Sequence, residues 1–190
     1  MRVLAINDIS CVGKCSLTVA LPVVSACGVT CDVLPTALLS THTGGFKGYT
    51  FRDLSDEIPA VLKHWESLGL TFDFIYSGYL GNVSQIETVR EIKRRFLKRN
   101  GKFIVDPVMG DGGKLYAHFD FHFVEKMRVL CEEADFILPN VTEACLLAGE
   151  NYPLSIERLP AEKIVGILRS PHTCPIVTGV EEGEENAVYY

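Results

Sequence analysis

The chain has 190 residues, 47% hydrophobic and 22% charged, which is enough for one domain with a real core. Its net charge of −6 argues against nucleic-acid binding, whose footprint is basic. No apolar run reaches membrane-spanning length, and the apolar start Met1–Ile6 is too short for a signal-peptide core. A cytoplasmic protein with no membrane partner is expected.

The elements alternate along the chain. Arg2–Ile6 reads as a strand and Asn7–Cys15 as a loop containing Gly13. Ser16–Cys27 reads as a helix capped by Ser16 and closed by Gly28. Cys31–Pro35 is the second strand, and Ser40–Tyr49 is a polar, glycine-rich loop long enough to be functional. Asp53–Leu68 carries Leu54, Ile58, Val61, Leu62 and Trp65 at helical spacing. Phe72–Ser77 is a strand, and Ser84–Asn100 a helix opened by a Ser84/Glu87 capping box. The basic cluster Lys93–Arg99 falls in its last turns, where cations favour the helix dipole, and reads as a solvated face. Lys102–Asp106 is a strand, Phe121–Glu133 a helix and Asp135–Leu138 a strand, with a helix opening at Thr142–Ala148. A helix over Ile156–Arg169, a strand over Pro175–Thr178 and a strand-like run over Ala187–Tyr190 complete the order. Such alternation implies an α/β fold with a mainly parallel central sheet and helices on both faces, and no domain boundary is visible.

The seven cysteines are expected as reduced thiols. Cys11, Cys15, Cys27 and Cys31 form two C-x₃-C pairs that lack zinc-knuckle spacing, so small apolar filler is the expectation.

The chemistry gathers after the strands. Asp106-Pro107-Val108-Met109-Gly110-Asp111-Gly112-Gly113 puts two carboxylates in a glycine-rich turn past a strand's carboxyl end, where open α/β sheets bind ligands. Pro139-Asn140-Val141-Thr142-Glu143 follows another strand end, and together the two segments suggest a Mg²⁺-phosphate site of hard oxygen ligands. Asn7, Asp8 and Gly13, then Thr41-His42-Thr43, Ser77-Gly78-Tyr79 and Thr178-Gly179 load further strand ends. In a parallel sheet these would share one edge, which points to a small-molecule site. Taken singly, Asp106-Pro107 also reads as a turn, Asn140-x-x-Glu143 as a helix N-terminus, His42 as a loop histidine and Tyr79 as a packed aromatic. No Walker P-loop and no G-x-G-x-x-G fingerprint is present.

These motifs resemble the ribokinase superfamily and, within it, the pyridoxal/pyridoxamine kinases. The carriers are Ala5-Ile6-Asn7-Asp8 with Gly13, Leu39-Ser40-Thr41-His42-Thr43-Gly44, Ser77-Gly78-Tyr79-Leu80-Gly81, Asp106-Pro107-Val108-Met109-Gly110-Asp111 and Pro139-Asn140-x-x-Glu143. The resemblance implies a three-layer α/β/α domain over residues 1–190, and ATP-dependent phosphorylation of the 5′-hydroxymethyl group of a B6 vitamer. It places Asp106 and Asp111 among the catalytic residues, with Asp111 and Glu143 near Mg²⁺. It puts Asp8, His42, Thr43 and Tyr79 around the vitamer. Tyr116, Asn140 and Thr178 fall near ATP, with a monovalent cation such as K⁺, and a homodimer is implied. Hydroxymethylpyrimidine kinases share Asp-Pro-Val-Met and are the nearest alternative. A catalytically silent vitamer- or nucleotide-binding module is the alternative outside enzymes.

The chain departs from the family pattern at two points. Position 8 is Asp where many pyridoxal kinases carry Ser, and a carboxylate there suits a protonated ring nitrogen or pyridoxamine's amine. The Gly-Thr-Gly-Asp motif, which supplies the anion hole and the base in the family, does not occur. A positioned base contributes about 10²–10⁴-fold in typical enzymes. The stop at Tyr189-Tyr190 inside a strand-like run leads us to expect a C-terminally incomplete domain.

Overall fold

The computed structural model describes residues 1–43, 45–150, 161–182 and 185–190. They form two compact units, Met1–Phe103 and Ile104–Tyr190.

In the first unit, β1 (Arg2–Ser10) runs parallel to β2 (Thr30–Leu39) on one side and to β4 (Phe72–Ser77) on the other. A short strand, β3 (Phe51–Asp53), adds antiparallel to the far edge of β2, giving the order β3-β2-β1-β4. The parallel strands read as apolar runs because they are covered: Leu4, Ala5, Ile6, Leu34, Phe72 and Ile75 are all buried. Helix α1 (Leu17–Ala26) packs on β1 and β2. Helix α2 (Ile58–Ser67) starts with Pro59 in its first turn, where a missing N–H costs nothing. Helix α3 (Val83–Phe96) buries Ile86, Val89, Ile92 and Phe96, a stripe at three- and four-residue spacing.

Several sequence expectations change here, among them the strand expected to stop at Pro35, which runs to Leu39, and the helix expected from Asp53, which starts at Ile58. The strand expected to stop at Ile6 continues to Ser10, because Asn7, Asp8 and Ser10 are buried within it. Ser16 makes no side-chain cap and sits at φ 53°. Asn82, not Ser84, caps α3, its Oδ1 accepting the Gln85 N–H at 3.0 Å. Leu97–Asn100 belongs to a strand, β5 (Leu97–Val105), which follows α3 without a turn. The basic cluster is therefore divided between two elements. Arg95 pairs with Glu66 and Glu91, and Lys98 with Asp73 at 2.7 Å, so these cations serve the surface.

In the second unit, β5 pairs in parallel with β8 (Phe136–Ile137), and β8 with β9 (Cys174–Pro175). Between β5 and β8 lie a small hairpin, β6 (Gly110–Asp111) with β7 (Lys114–Leu115), and helix α4 (Phe121–Glu132). Asp120 caps α4 by accepting the Phe123 N–H at 2.9 Å. Helix α5 (Val141–Ala148) and α6 (Ala161–Leu168) follow, and β10 (Val177–Glu182) pairs antiparallel with β11 (Glu185–Tyr189). The helix expected over 156–169 begins outside the described residues. Ala144, Cys145, Ile164, Val165, Val177 and Val180 close a core between α5, α6 and the β10 strand. All seven cysteines are free thiols, and Cys131 and Cys145 are buried. No helix among the described residues is long and apolar enough to cross a membrane.

Candidate active site

In the first unit the ends of β1, β2 and β4 carry the polar residues. Asn7 and Asp8 are each 5% exposed. The Asn7 Oδ1 accepts two main-chain N–H groups, from Asp8 at 3.0 Å and from Tyr79 at 2.8 Å. Asn7 thereby stitches the end of β1 to the turn after β4. That turn also donates Gly78 N–H to the Ile6 carbonyl at 2.8 Å. A Cβ on Gly78 would lie 2.1 Å from the Asn7 Nδ2, so the stitch requires glycine there. Ser10 Oγ donates to Asp8 Oδ2 at 3.1 Å. Thr36 Oγ1, on β2, donates to the Tyr79 carbonyl at 3.0 Å.

The structure thus brings Asp8 and Tyr79 together. Burial, and then the charges of Asp8, Tyr49 and Asp53, push the Tyr79 phenol above its usual range. His42 sits on the loop after β2 and meets the loop after β1. Its N–H donates to the Val12 carbonyl at 3.1 Å, and its ring would be struck by a Cβ on Gly13, which adopts φ +95°. The His42 ring also meets Phe46 edge-on at 5.1 Å. Thr43 is exposed, and Gly44 beside it lies outside the described residues.

In the second unit the Asp106–Gly113 segment is fixed to the start of α5. Asn140 and Glu143 form a capping box: Asn140 Oδ1 accepts the Glu143 N–H, and Glu143 Oε2 accepts the Asn140 N–H, both at 2.9 Å. Both residues then reach further. Glu143 Oε1 accepts the Met109 N–H at 3.1 Å, and Asn140 Nδ2 donates to the Gly110 carbonyl at 2.9 Å. Thr142 Oγ1 accepts the Gly113 N–H at 2.9 Å. Asn140 also bridges to Thr178, whose N–H donates to the Pro139 carbonyl. The helix-terminus reading of Asn140-x-x-Glu143 is the one the capping box bears out, and the same cap organises the acidic loop.

Glu143 is 3% exposed, and burial followed by the charge of Asp106 pushes its carboxyl up to about 8 against the pull of main-chain N–H donors. Asp111 is exposed, one oxygen accepting the Gly112 N–H at 2.8 Å. Tyr116 hangs from the Met109 carbonyl by its N–H at 3.0 Å. Its phenol is pushed up by burial and by Glu143, Asp111 and Asp106. Asp106, Asp111, Tyr116, Asn140, Glu143 and Thr178 are thus neighbours, all of them sequence-predicted. Asn7 was read as part of a loaded strand end but not as a site residue, and its stitching role needs the folded chain to be seen.

The donors suit Mg²⁺. No group of three or more His, Cys, Asp or Glu among the described residues forms a ready cage. Mg²⁺ asks instead for one or two carboxylates, with phosphates and water supplying the rest. The open oxygen of Asp111 and the Glu143 carboxyl, once ionised, would offer such hard oxygen atoms.

No family model matches the chain. A solved structure from Bacteroides thetaiotaomicron, provisionally named a phosphomethylpyrimidine kinase and determined with pyridoxal, is 38% identical. It covers 99% of this chain and 67% of its own, with a TM-score of 0.89. Pyridoxal kinase from Lactobacillus plantarum is 37% identical over 98% of this chain and 66% of its own, with a TM-score of 0.88.

The chain belongs to the pyridoxal kinase family.

Its fold is accordingly the ribokinase-like α/β fold with a mainly parallel sheet. Among the curated pyridoxal kinases, that of Arabidopsis thaliana is 32% identical over 127 residues, 64% of this chain. The chain spans about 40% of the length of that relative.

Proposed function

We propose that this member of the pyridoxal kinase family serves ATP-dependent phosphorylation of the 5′-hydroxymethyl group of a B6 vitamer. The observation that carries the reading is the double commitment of Glu143 and Asn140. Each caps α5 and each holds the Asp106–Gly113 loop. Phosphoryl transfer depends on positioning and charge neutralisation, which this arrangement supplies. Within the proposal both units belong to one kinase domain.

Asp8, His42, Thr43 and Tyr79 of the first unit take the vitamer. Asp106 organises the phosphate region, and Tyr116, Asn140 and Thr178 take ATP. Asp111 and Glu143 hold Mg²⁺, directly or through water, and a monovalent cation such as K⁺ completes the set. Mg²⁺ held there would neutralise charge developing on the transferring phosphoryl group. Asn140 keeps the Gly110 carbonyl turned to its own amide, and Glu143 keeps the Met109 N–H, so the loop meets a nucleotide already ordered. The chain contains no Gly-Thr-Gly-Asp segment, and no described residue is assigned as the base.

A cytoplasmic homodimer completes the proposal. Val19, Leu21 and Val23 on α1 are 38–56% exposed, the kind of apolar surface that a second copy covers. The provisional name of the Bacteroides relative favours a second reading, hydroxymethylpyrimidine phosphorylation. Its pyridoxal, and the Gly110-Asp111 that follows Asp-Pro-Val-Met here, favour the first.

ADP release with Mg²⁺ and K⁺ tests the two, over pyridoxal, pyridoxamine, pyridoxine and hydroxymethylpyrimidine. Turnover favouring a B6 vitamer supports the proposal. Turnover favouring hydroxymethylpyrimidine overturns it. No turnover with vitamer binding intact locates the deprotonating group outside these 190 residues.

A further inference from the structure

Gln85 lies at the third position of α3 and is 1% exposed. A buried carboxamide must find partners for its oxygen and both N–H groups. Gln85 finds them in three separate segments. Its Oε1 accepts the Gly81 N–H at 2.7 Å. Its Nε2 donates to the Thr36 carbonyl at 3.0 Å, to Ser55 Oγ at 2.9 Å and to Asp53 Oδ1 at 3.2 Å, so one N–H is shared. Only this orientation of the amide satisfies the Gly81 donor and the Thr36 acceptor together.

The same segments are tied to one another. Asn82 Nδ2 donates to Asp53 Oδ2 at 2.8 Å, and the Asp53 carboxylate also accepts the Ser55 N–H at 2.7 Å. Thr36, itself 1% exposed, grips the Tyr79 carbonyl with its hydroxyl. The turn from Tyr79 to Asn82 is therefore held at Tyr79 by Asn7 and Thr36, at Gly81 by Gln85 and at Asn82 by Asp53. Gln85 and Thr36 meet through the Thr36 carbonyl, so the amide ties Gly81 to the β2 residue whose hydroxyl holds Tyr79.

We propose that Gln85 is a positioning residue for the vitamer, acting through the Tyr79–Asn82 turn. The inference rests on the reading of Tyr79 as a vitamer contact. A helix needs no buried amide at this position; an apolar side chain would fill the space without the cost of satisfying four polar contacts. Here the amide's oxygen is aimed at the turn's N–H and its nitrogen at β2 and the Asp53 carboxylate. Gln85 thereby converts packing into a fixed main-chain path beneath Tyr79.

The test compares the full chain with Gln85→Met, which keeps the bulk and removes every hydrogen bond, and Gln85→Glu, which keeps the acceptor for Gly81. Amide hydrogen exchange over residues 79–82 reads the positioning without any ligand. Affinities for pyridoxal, pyridoxamine and Mg·ATP read its consequence. Gln85→Met is expected to speed exchange over 79–82 and to weaken vitamer binding about tenfold or more, as befits buried polar groups left unpaired. Mg·ATP affinity is expected to stay unchanged, and Gln85→Glu to fall between wild type and Gln85→Met.

Unchanged exchange over 79–82 would overturn the proposal. So would equal losses of vitamer and Mg·ATP affinity, the mark of a general structural defect. Should Gln85→Met fail to fold, Thr36→Val releases the other end of the turn, and the same outcomes apply to it. Faster exchange in a protein whose wild type binds no vitamer would remove the vitamer reading and leave the positioning of the turn standing.

Discussion

Glu143 and Met109 are 34 residues apart in sequence, and the Glu143 carboxylate accepts the Met109 N–H at 3.1 Å. The same carboxylate caps α5 through the Asn140 N–H. One side chain therefore fixes the acidic loop to the helix that follows β8. Glu143→Gln keeps the shape but sets an amide nitrogen against one of two N–H donors and removes an ionisable oxygen. Mg·ATP affinity is expected to fall about tenfold or more while vitamer affinity stays within roughly twofold. Calorimetric titration with each ligand checks this, and equal losses would count against the role given to Glu143.

Asp111 differs from Glu143 in being exposed. Asp111→Asn should leave the thermal midpoint unchanged, because exposed substitutions away from caps and networks shift stability by about 0.5 kcal/mol or less. The Mg²⁺ concentration needed for nucleotide binding should rise. A Mg²⁺ titration at fixed ATP reads the change directly, and an unshifted midpoint would remove Asp111 from the cation site.

Tyr79→Ala should weaken vitamer binding selectively, leaving Mg·ATP affinity in place. Its main-chain anchors at Asn7 and Thr36 survive the substitution, so the turn keeps its path and only the ring is lost. Vitamer affinity equal to wild type would take the ring out of the pocket.

Gly78→Ala should destabilise the protein. The new methyl would stand 2.1 Å from the Asn7 Nδ2, and relief requires Asn7 to release the Tyr79 N–H. Overpacking of this kind costs about 1–3 kcal/mol. Urea unfolding at constant m-value measures it, and a midpoint equal to wild type would mean that Asn7 has room to move.

Asp53 gives a pH signature. Burial pushes its carboxyl up, but hydrogen bonds from Ser55, Asn82 and Gln85 outweigh that and hold it below the usual range. A depressed folded-state pKa contributes stability above the unfolded-state value. That contribution is lost as pH falls through the folded-state value. Asp53→Asn should therefore flatten the acid limb of the stability curve below about pH 4. An acid limb identical to wild type would deny the carboxylate this role.

Much of the molecule was legible in the sequence, and the exceptions share a cause. The strand at Phe72–Ser77 was read with its observed ends because an apolar run is bounded by turn residues. The end of β1 was misplaced because Asn7, Asp8 and Ser10 are polar yet buried, and polarity alone reads as loop. The start of β5 was misplaced because Lys98, Arg99 and Asn100 are exposed and carry no strand alternation. The strand Phe51–Asp53 has no counterpart in the sequence reading, where the helix starts at Asp53, since three exposed residues at a sheet edge leave no periodic trace.

Within the candidate site, the neighbours in the second unit stand in short motifs that the sequence displays directly. Asn7 and Gln85 act across 72 and 49 residues, on the Tyr79 N–H and the Thr36 carbonyl. Such pairings are set by strand order, which no short motif records.

Under the proposed function, a B6 vitamer binds to a site built on Asp8 and Tyr79. The most direct measurement is equilibrium binding of pyridoxal, pyridoxamine, pyridoxine and hydroxymethylpyrimidine to the wild-type chain and to Tyr79→Ala. A B6 vitamer binding more tightly than hydroxymethylpyrimidine, with that binding lost in the variant, is the result expected. Tighter binding of hydroxymethylpyrimidine, or vitamer binding indifferent to Tyr79, would contradict the account.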